Sequence, residues 1–414
     1  MDSTFGKPVG AITRRNAIGL MLSAAAAANL ALGRSYAQST QPFRIGALSD
    51  MSGIVVDLSG PGTVVSMELA IEDFGGKVLG RPIELVKGDH LNKPDIGIGL
   101  ARKWYDEGVN AIFDVGITSV ALGVQELARE KDKTVIFISS SSADLTEKNC
   151  SPNGIHWNHN SYSQAIGVVK SAIAAGGDSW FFLTVDYAYG HTVQRDTTKM
   201  IEAHGGKVVG FAPHAFETTD FSSDLLKAQS SGAKVIALAT TSVHVPNIVK
   251  QADEFGIRPG QMLAPLSLTL HDVKAMGMQT AHGLLETSTY YWDQNDETRS
   301  FGKRFMERFK RMPNMIQASA YGAVTHYLKA VEAVGSEDTA AIMTRMRATP
   351  VNDFMSREAK ITENGQVLRQ QTVLEVKTAE ESTGEWDLYK IVSEVPADQA
   401  FAAPDAALCP LVKV

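Results

Sequence analysis

Short apolar runs alternate with segments of helical apolar spacing along almost the whole chain after residue 42. The runs predict strands and the periodic segments predict helices. In the first half, the predicted strands are Phe43–Leu48, Pro82–Val86, Ala111–Val115 and Val135–Ser139, and the predicted helices are Gly62–Phe74, Ile96–Tyr105 and Val120–Glu130. Alternating strands and helices of this length predict a parallel sheet with helices on both faces.

A second set of the same kind follows. It comprises predicted helices Gln164–Ala175 and His191–His204 and predicted strands Trp180–Val185, Val208–Phe211 and Lys234–Ala239. We therefore predict an α/β fold with two doubly wound parallel-sheet lobes. The predicted crossings between the lobes are His156–Ser161 and Glu286–Tyr291, after which helices Phe301–Arg311 and Tyr321–Val334 rejoin the first lobe and Gly365–Val376 forms a strand pair of the second.

The N-terminus has the three parts of an export signal. The adjacent Arg14 and Arg15 precede the alanine-rich apolar run Ala17–Leu32, and Ser35-Tyr36-Ala37 matches a small-x-small cleavage site. The run is too short for a transmembrane helix. The sequence predicts a signal over residues 1–37, cleaved near Ala37, by either the twin-arginine or the general secretory route.

Composition and charge narrow the classes of function. The chain has 414 residues, of which 44% are hydrophobic and 21% are charged, which is enough for two globular lobes. Its net charge is -7, so we expect no nucleic-acid partner. Its two cysteines, Cys150 and Cys409, predict one disulfide in an exported protein, the alternative being two buried free thiols. Their separation does not suit a metal site, and we expect no metal and no cofactor.

Ligands bind at the carboxyl ends of the strands in open parallel sheets. In the first lobe, two such loops are rich in hydroxyl groups and contain Thr118 and Ser119, and Ser140, Ser141 and Ser142. Hydroxyls and free backbone N–H groups at a helix start favour an anion, so a carboxylate is the predicted ligand. The alternative is that Thr118 or Ser119 only caps its helix.

The second lobe offers two loops in the same topological positions. They are Asp186–Gly190 and Thr240–Ser242, the latter including Thr241. A tyrosine combines an apolar ring with one polar atom, so Tyr187 or Tyr189 is suited to cover an organic ligand. The alternative is that either tyrosine packs at the edge of the lobe.

Motifs that would indicate an enzyme do not occur. The sequence contains no HExxH, GxSxG or GxxxxGK[ST] motif, and no GxGxxG follows the first strand. His156 and His159 are interpreted as hydrogen-bonded residues of the crossing. We expect a protein that is not an enzyme.

Several blocks in order resemble the periplasmic substrate-binding proteins of branched-chain amino acid type ABC transporters. The blocks are Leu48–Gly53, Ala70–Gly76, Asp114–Lys131, Cys150–Pro152 and Trp180–Gly190. The resemblance implies the type I periplasmic binding protein fold, with three crossings forming a hinge, and a ligand enclosed between the lobes. It also implies a periplasmic location, permease subunits of the transporter as partners, and no membrane-embedded part after signal cleavage. The implied limits are 43–157 plus 291–358 for lobe 1, 158–290 plus 359–392 for lobe 2, and 393–414 for a tail tied back to lobe 1.

The resemblance also assigns candidate ligand contacts. The loops with Thr118–Ser119 and Ser140–Ser142 match those that hold the ligand carboxylate, and Tyr189 matches an aromatic residue that faces it. Family members that bind amino acids place acidic side chains against the ammonium group, but Ala264–Ser267 and His159–Ser161 offer none. We therefore predict an aromatic carboxylate lined by Tyr162, Tyr189 and Leu266. The alternatives are an amino-acid-binding transport protein and a ligand-sensing receptor of a signalling system.

Overall fold

The structure is a computed structural model that describes residues 1–3, 6 and 41–413. The apolar run Ala17–Leu32 and the predicted cleavage site near Ala37 lie outside the described residues. Residues Phe43–Val414 form one compact unit, and the following description concerns this unit alone. Across the described part of the chain, no helix combines the length and the apolar character that a membrane span requires.

The strands and helices are numbered in chain order. The strands are β1 Phe43–Ser49, β2 Lys77–Val78, β3 Arg81–Asp89, β4 Val109–Asp114, β5 Thr134–Phe137, β6 Gly154–His156, β7 Ser179–Val185, β8 Lys207–His214, β9 Val235–Ala239, β10 Met262–Pro265, β11 Leu285–Ser288, β12 Val351–Asp353, β13 Ser356–Ile361, β14 Val367–Leu368, β15 Gln371–Val376 and β16 Tyr389–Val395. The helices are α1 Gly60–Asp73, α2 Pro94–Asp106, α3 Thr118–Glu130, α4 Ser163–Ala174, α5 Ala188–Ala203, α6 Ser222–Ser230, α7 Val245–Glu254, α8 Leu270–Met276, α9 Met278–Ala281, α10 Asp296–Phe309, α11 Met315–Val334, α12 Thr339–Ala348 and α13 Ala397–Ala400.

The first sheet has the strand order β2-β3-β1-β4-β5-β6, and all of its pairs are parallel except β2–β3. Successive side chains of a strand point to opposite faces. On β4, Ala111 and Phe113 accordingly pack in one core with α1 and α11, whereas Ile112 packs in another with α2 and α3. Both faces of this sheet are therefore covered by helices.

The second sheet repeats this arrangement with the parallel order β10-β9-β7-β8. On β7, Phe181 and Leu183 pack in a core with α6 and α7, while Trp180 and Phe182 pack in a core with α4 and α5. The prediction of two doubly wound α/β lobes is confirmed.

Strands near the C-terminus belong to both lobes and correct one prediction. Strand β14 pairs with β13, and Ala359, Ile361 and Val367 pack in the core of the first lobe. Strand β15 instead pairs with β11 and β16, and Leu374 packs in the core of the second lobe. The segment Gly365–Val376 is therefore not a strand pair of the second lobe, because its two strands lie in different sheets. We accordingly move the proposed lobe limit from residue 358 to the link between β14 and β15.

The C-terminal tail contacts both lobes. Cys409 is disulfide-bonded to Cys150, with a Cα–Cα distance of 5.8 Å, so the predicted pairing is present in the structure. Cys150 precedes β6 of the first sheet, whereas Ala400 and Phe401 are buried in a core of the second lobe. The tail thus links the second lobe to the first, in addition to the crossings that follow β6, β11 and β14.

Candidate functional site

A cavity lies where the carboxyl ends of strands from the two sheets face each other. Its volume is about 40 Å³ in this structure. Because an apolar cavity that binds benzene measures about 150 Å³, an aromatic ligand enters only when the lobes move apart. The first lobe and the first crossing contribute Val55, Leu58, Ser59, Gly116, Ile117, Thr118, Ser139, Ser140, Ser141, His159, Met315 and Ile316. The second lobe contributes Tyr187, Tyr189, Thr241, Ser242, Ser267 and Thr269.

Five of the predicted ligand-binding residues come together in this cavity. They are Thr118, Ser140, Ser141, Tyr189 and Thr241. Each lies within four residues after the end of a strand or in the first turn of a helix that follows one. The topological rule for parallel sheets therefore located both sides of the cavity.

The other four predicted residues do not line the cavity. Ser119 is exposed, because one step along α3 turns its side chain by about 100° from that of Thr118. Ser142 is buried with its Oγ donating to Thr192 Oγ1 at 3.3 Å. Tyr162 lines a separate cavity beside the C-terminal tail, and Leu266 packs in the core of the second lobe.

The first-lobe wall has hydrogen-bonding capacity to spare. Ile117 occupies the N-cap position of α3 and no side chain caps this helix, so Thr118 does not act as the cap. The Ser140 Oγ is buried and has no hydrogen-bond partner among the described residues. Helix N-termini and hydroxyl groups stabilise anions, so this wall suits a carboxylate.

His159 lines the cavity, and its placement there was not predicted. Its Nε2 lies 2.9 Å from Ser141 Oγ, and its Nδ1 has no partner within the described part of the chain. Burial lowers the pKa of His159 to about 3, so the imidazole is neutral near pH 7. The one sequence feature that could have indicated this placement is the position of His159 in the polar crossing after β6.

The second-lobe wall presents aromatic rings. The rings of Tyr187 and Tyr189 lie 6.0 Å apart, and Tyr187 contacts Phe216 edge-on at 5.5 Å. The Tyr189 hydroxyl accepts a hydrogen bond from Gln164 Nε2 at 3.1 Å, and burial raises its pKa. These contacts fix the ring of Tyr189 as one flat face of the cavity.

None of the described residues that line the cavity carries a charged side chain. Asp114 lies beneath the first-lobe wall, where its Oδ2 accepts from Ser49 Oγ at 2.6 Å, and burial raises its pKa to about 6. Asp272 lies behind the second-lobe wall, and burial raises its pKa to about 6 as well. An ammonium group in the cavity would lack a directly contacting carboxylate, which is costly.

Side chains of the two lobes also contact each other beside the cavity. Arg195 on α5 pairs with Asp144 at 2.9 Å and with Glu147 at 3.3 Å, both in the first lobe. Elsewhere, His271 on α8 lies 2.8 Å from the Met312 carbonyl oxygen. The two lobes are thus in direct contact around a shared cavity.

Comparison with known proteins identifies relatives of the same architecture. The family model described as periplasmic binding protein matches residues 42–384. A periplasmic binding protein from Burkholderia mallei is 38% identical, with a TM-score of 0.85 over 87% of this chain and 96% of its own. A branched chain amino acid ABC transporter periplasmic ligand-binding protein from Burkholderia xenovorans is 36% identical, with a TM-score of 0.79 over 88% of this chain and 97% of its own.

More distant structures share the fold. A solute-binding protein of an ABC transporter from R. palustris is 20% identical, with a TM-score of 0.79 over 87% of this chain and 99% of its own. A search of curated proteins gave no match. On the strength of the family match, the chain belongs to the periplasmic binding protein family and is the solute-binding protein of an ABC transporter.

Proposed function

We propose that the protein captures a small aromatic carboxylate in the cavity between its lobes and presents it to the permease of the transporter. The observation that carries the proposal is the division of the cavity lining. The first-lobe side combines hydroxyl groups and the uncapped start of α3 with aliphatic side chains, and the second-lobe side adds two tyrosine rings beside its own hydroxyl groups. No chemical step is required for this function.

The carboxylate end is assigned to the first-lobe wall. Ser140 Oγ can donate a hydrogen bond, and the first-turn N–H groups of α3 add the positive end of the helix dipole. Thr118 and Ser141 place two further hydroxyls on the same wall. A carboxylate there is stabilised without a lysine or arginine side chain.

The aromatic body is assigned to the apolar part of the lining. Val55, Leu58 and Ile316 offer aliphatic surface, and Tyr189 offers a flat ring. The R. palustris protein that shares this fold was solved in complex with 4-hydroxybenzoate, so the architecture accommodates such a ligand. Export to the periplasm and removal of residues 1–37 belong to the same proposal.

An amino acid is the second candidate, because the B. xenovorans relative is described as a branched chain amino acid ABC transporter protein. The uncharged lining argues against it, since an amino acid would bring its ammonium group into a cavity without a contacting carboxylate.

A thermal-shift screen distinguishes the two candidates. The mature protein is unfolded and refolded to remove carried-over ligand, and is then screened against benzoates, aliphatic acids and amino acids. Binding to the native state alone adds about 2.7 kcal/mol of stability at a ligand concentration one hundred times Kd. We expect stabilisation by benzoates; stabilisation by leucine or a similar amino acid, with none by benzoates, would refute the proposal.

A further inference from the structure

A carboxyl group lies directly behind the first-lobe wall of the cavity. It belongs to Asp114, the last residue of β4, which is fully buried. Its side chain is surrounded by four hydroxyl groups, those of Ser49, Ser59, Thr63 and Ser139. Ser59 and Ser139 also line the cavity, so the carboxyl group lies one layer of side chains behind the cavity surface.

Little in its surroundings balances a negative charge on Asp114. Its Oδ2 accepts a hydrogen bond from Ser49 Oγ at 2.6 Å, but its Oδ1 has no hydrogen-bond partner among the described residues. No ion pair joins it to a lysine, arginine or histidine in this part of the chain. Burial raises the pKa of Asp114 to about 6, so the protonated and the ionised form both occur near neutral pH.

The neighbouring elements carry four other ionisable side chains at this end of the sheet, namely Asp50 after β1, Asp89 and His90 at the end of β3, and His159 after β6. Asp50 accepts from two backbone N–H groups at 2.6 and 2.9 Å, and Asp89 accepts from a serine hydroxyl at 2.6 Å. Burial lowers the pKa of both histidines, so their rings are neutral near pH 7. The first turns of α1, α3 and α11 contain no ionisable side chain. None of these groups therefore supplies a positive charge to Asp114.

We infer that Asp114 takes up a proton from water when the ligand carboxylate binds, so that the affinity for the ligand depends on pH. This inference rests on the proposed function, which assigns the ligand carboxylate to the same wall. Two neighbouring carboxylates disfavour each other's ionised form, most strongly where both are buried. The ligand therefore binds the protonated form of Asp114 more tightly than the ionised form. A proton on Oδ1 can be donated to Ser139 Oγ, which has no other partner among the described residues.

The direction of the pH dependence follows from this linkage. Below about pH 6, Asp114 is already protonated in the free protein, and the ligand binds with its full affinity. As the pH rises above this value, each binding event has to bring in a proton, and the affinity falls. If the bound carboxylate raises the pKa of Asp114 by about one further unit, the ligand binds roughly five- to tenfold more weakly at pH 8 than at pH 5.5.

Titration calorimetry of the refolded mature protein with benzoate and with 4-hydroxybenzoate tests the inference. Each ligand is titrated at pH 5.5, 6.5 and 8, in pairs of buffers that differ in their enthalpy of ionisation. We expect at least about a fivefold loss of affinity over this range and an uptake of about half a proton per ligand near pH 6.5. Equal affinities at the three pH values, with no proton uptake, would overturn the inference and leave the proposed function standing. If neither ligand binds at any of these pH values, the proposed function fails and the inference with it.

Two variants assign the proton to its residue. Asn has the shape of Asp without its charge and tolerates the positive φ of 80° at position 114. Asp114→Asn should bind at pH 8 about as tightly as the unmodified protein does at pH 5.5, and should take up no proton. Glu286→Gln is the matched control, because it removes another buried carboxyl with a raised pKa, of about 8, in the second lobe. It should keep the pH dependence of the unmodified protein.

Unchanged proton uptake in Asp114→Asn would assign the proton to another group, such as His159, and contradict the inference. If Asp114→Asn fails to fold, the pH series and the proton count of the unmodified protein and of Glu286→Gln decide. A merely structural role of Asp114 would alter stability without producing proton uptake on binding.

Discussion

The two walls of the cavity hold their polar atoms in different ways. On the first-lobe side, Ser140 Oγ and His159 Nδ1 have no hydrogen-bond partner in the part of the chain that the structure describes. On the second-lobe side, the hydroxyls of Thr241 and Thr269 already have partners in their own lobe. The first wall thus has polar atoms that a ligand can pair with. In the second wall, the two hydroxyl groups are already held in place by hydrogen bonds within their own lobe. Pre-set groups lose little freedom when the lobes close on the ligand.

The largest effect on binding is expected from the first wall. Replacing Thr118 by Val and Ser140 by Ala removes two hydroxyls from the proposed carboxylate site. Hydrogen bonds to charged groups contribute about 1.5–3 kcal/mol each, so the double variant should bind its benzoate ligand at least about 100-fold more weakly by calorimetry. Ser119→Ala is the control, since Ser119 is exposed and outside the cavity. Unchanged affinity in the double variant would show that the carboxylate lies elsewhere.

A second effect concerns protein stability and the carboxyls behind the second wall. Burial raises the pKa of Glu286 on β11 from 4.5 to about 8. The folded protein therefore holds this proton more tightly than the unfolded chain does. The resulting stabilisation is complete below about pH 4.5 and is lost as the pH rises through about 8. Relative to Glu286→Gln, the unmodified protein should lose on the order of 3 kcal/mol of unfolding free energy between pH 5 and pH 8.

Urea unfolding at several pH values measures this difference. Glu375→Gln serves as the control, because Glu375 lies on the neighbouring strand β15, is partly exposed and pairs with Lys390 at 3.0 Å. Asp114 also titrates higher than usual, but it is present in both proteins and cancels in the comparison. Asp272 repels Glu286 and contributes to its raised pKa, so the measured difference belongs to this pair of carboxyls. Parallel pH profiles for Glu286→Gln and the unmodified protein would contradict the assignment to Glu286.

The aromatic face of the second wall should contribute less. Tyr189→Leu retains apolar contact but removes the flat ring, so the benzoate ligand should bind about tenfold more weakly. Tyr162→Leu is the matched control, since Tyr162 lies outside the cavity. Equal losses in the two variants would mean that the ring of Tyr189 does not contact the ligand.

The smallest effect is expected where the two lobes meet beside the cavity. Arg195→Gln removes the ion pairs with Asp144 and Glu147, and partly exposed pairs contribute about 0.2–1 kcal/mol each. The benzoate ligand should dissociate about threefold faster in stopped-flow measurements, because the closed state is less stable. Arg299→Gln, which breaks exposed pairs with Asp293 and Asp296, should leave the rate unchanged. If Arg195→Gln releases the ligand at the same rate as the unmodified protein, the ion pairs of Arg195 do not stabilise the closed state.

Strong apolar patterns made much of the fold predictable. The buried run predicted at Trp180–Val185 is found as strand Ser179–Val185, and the predicted helix Gln164–Ala175 is found at Ser163–Ala174. Helices α6 and α12 were not predicted, because each is short and buries few apolar residues. Where a strand or helix depended on contacts with distant parts of the chain, its own sequence carried little signal.

The sequence predicted which loops form the cavity, but it predicted less well which side chains of those loops line it. Thr118 and Ser119 are neighbours of similar chemistry. Only Thr118 lines the cavity, because the two side chains point in different directions around the axis of α3. Leu266 was predicted at the loop after β10, but its side chain turns into the core and Ser267 lines the cavity instead. Met315, at the start of α11, joins the lining from a part of the chain that sequence patterns could not distinguish from ordinary core.

The disulfide between Cys150 and Cys409 joins residues 259 positions apart, and the chain between them contains every crossing between the lobes and the whole second sheet. This part of the protein is therefore a covalent ring. A single proteolytic cut in any exposed loop of the ring opens it but cannot separate the pieces while the disulfide is intact. A nicked molecule would run as one band without reductant and as two bands with it. A nicked molecule of this kind keeps both halves of its binding site together.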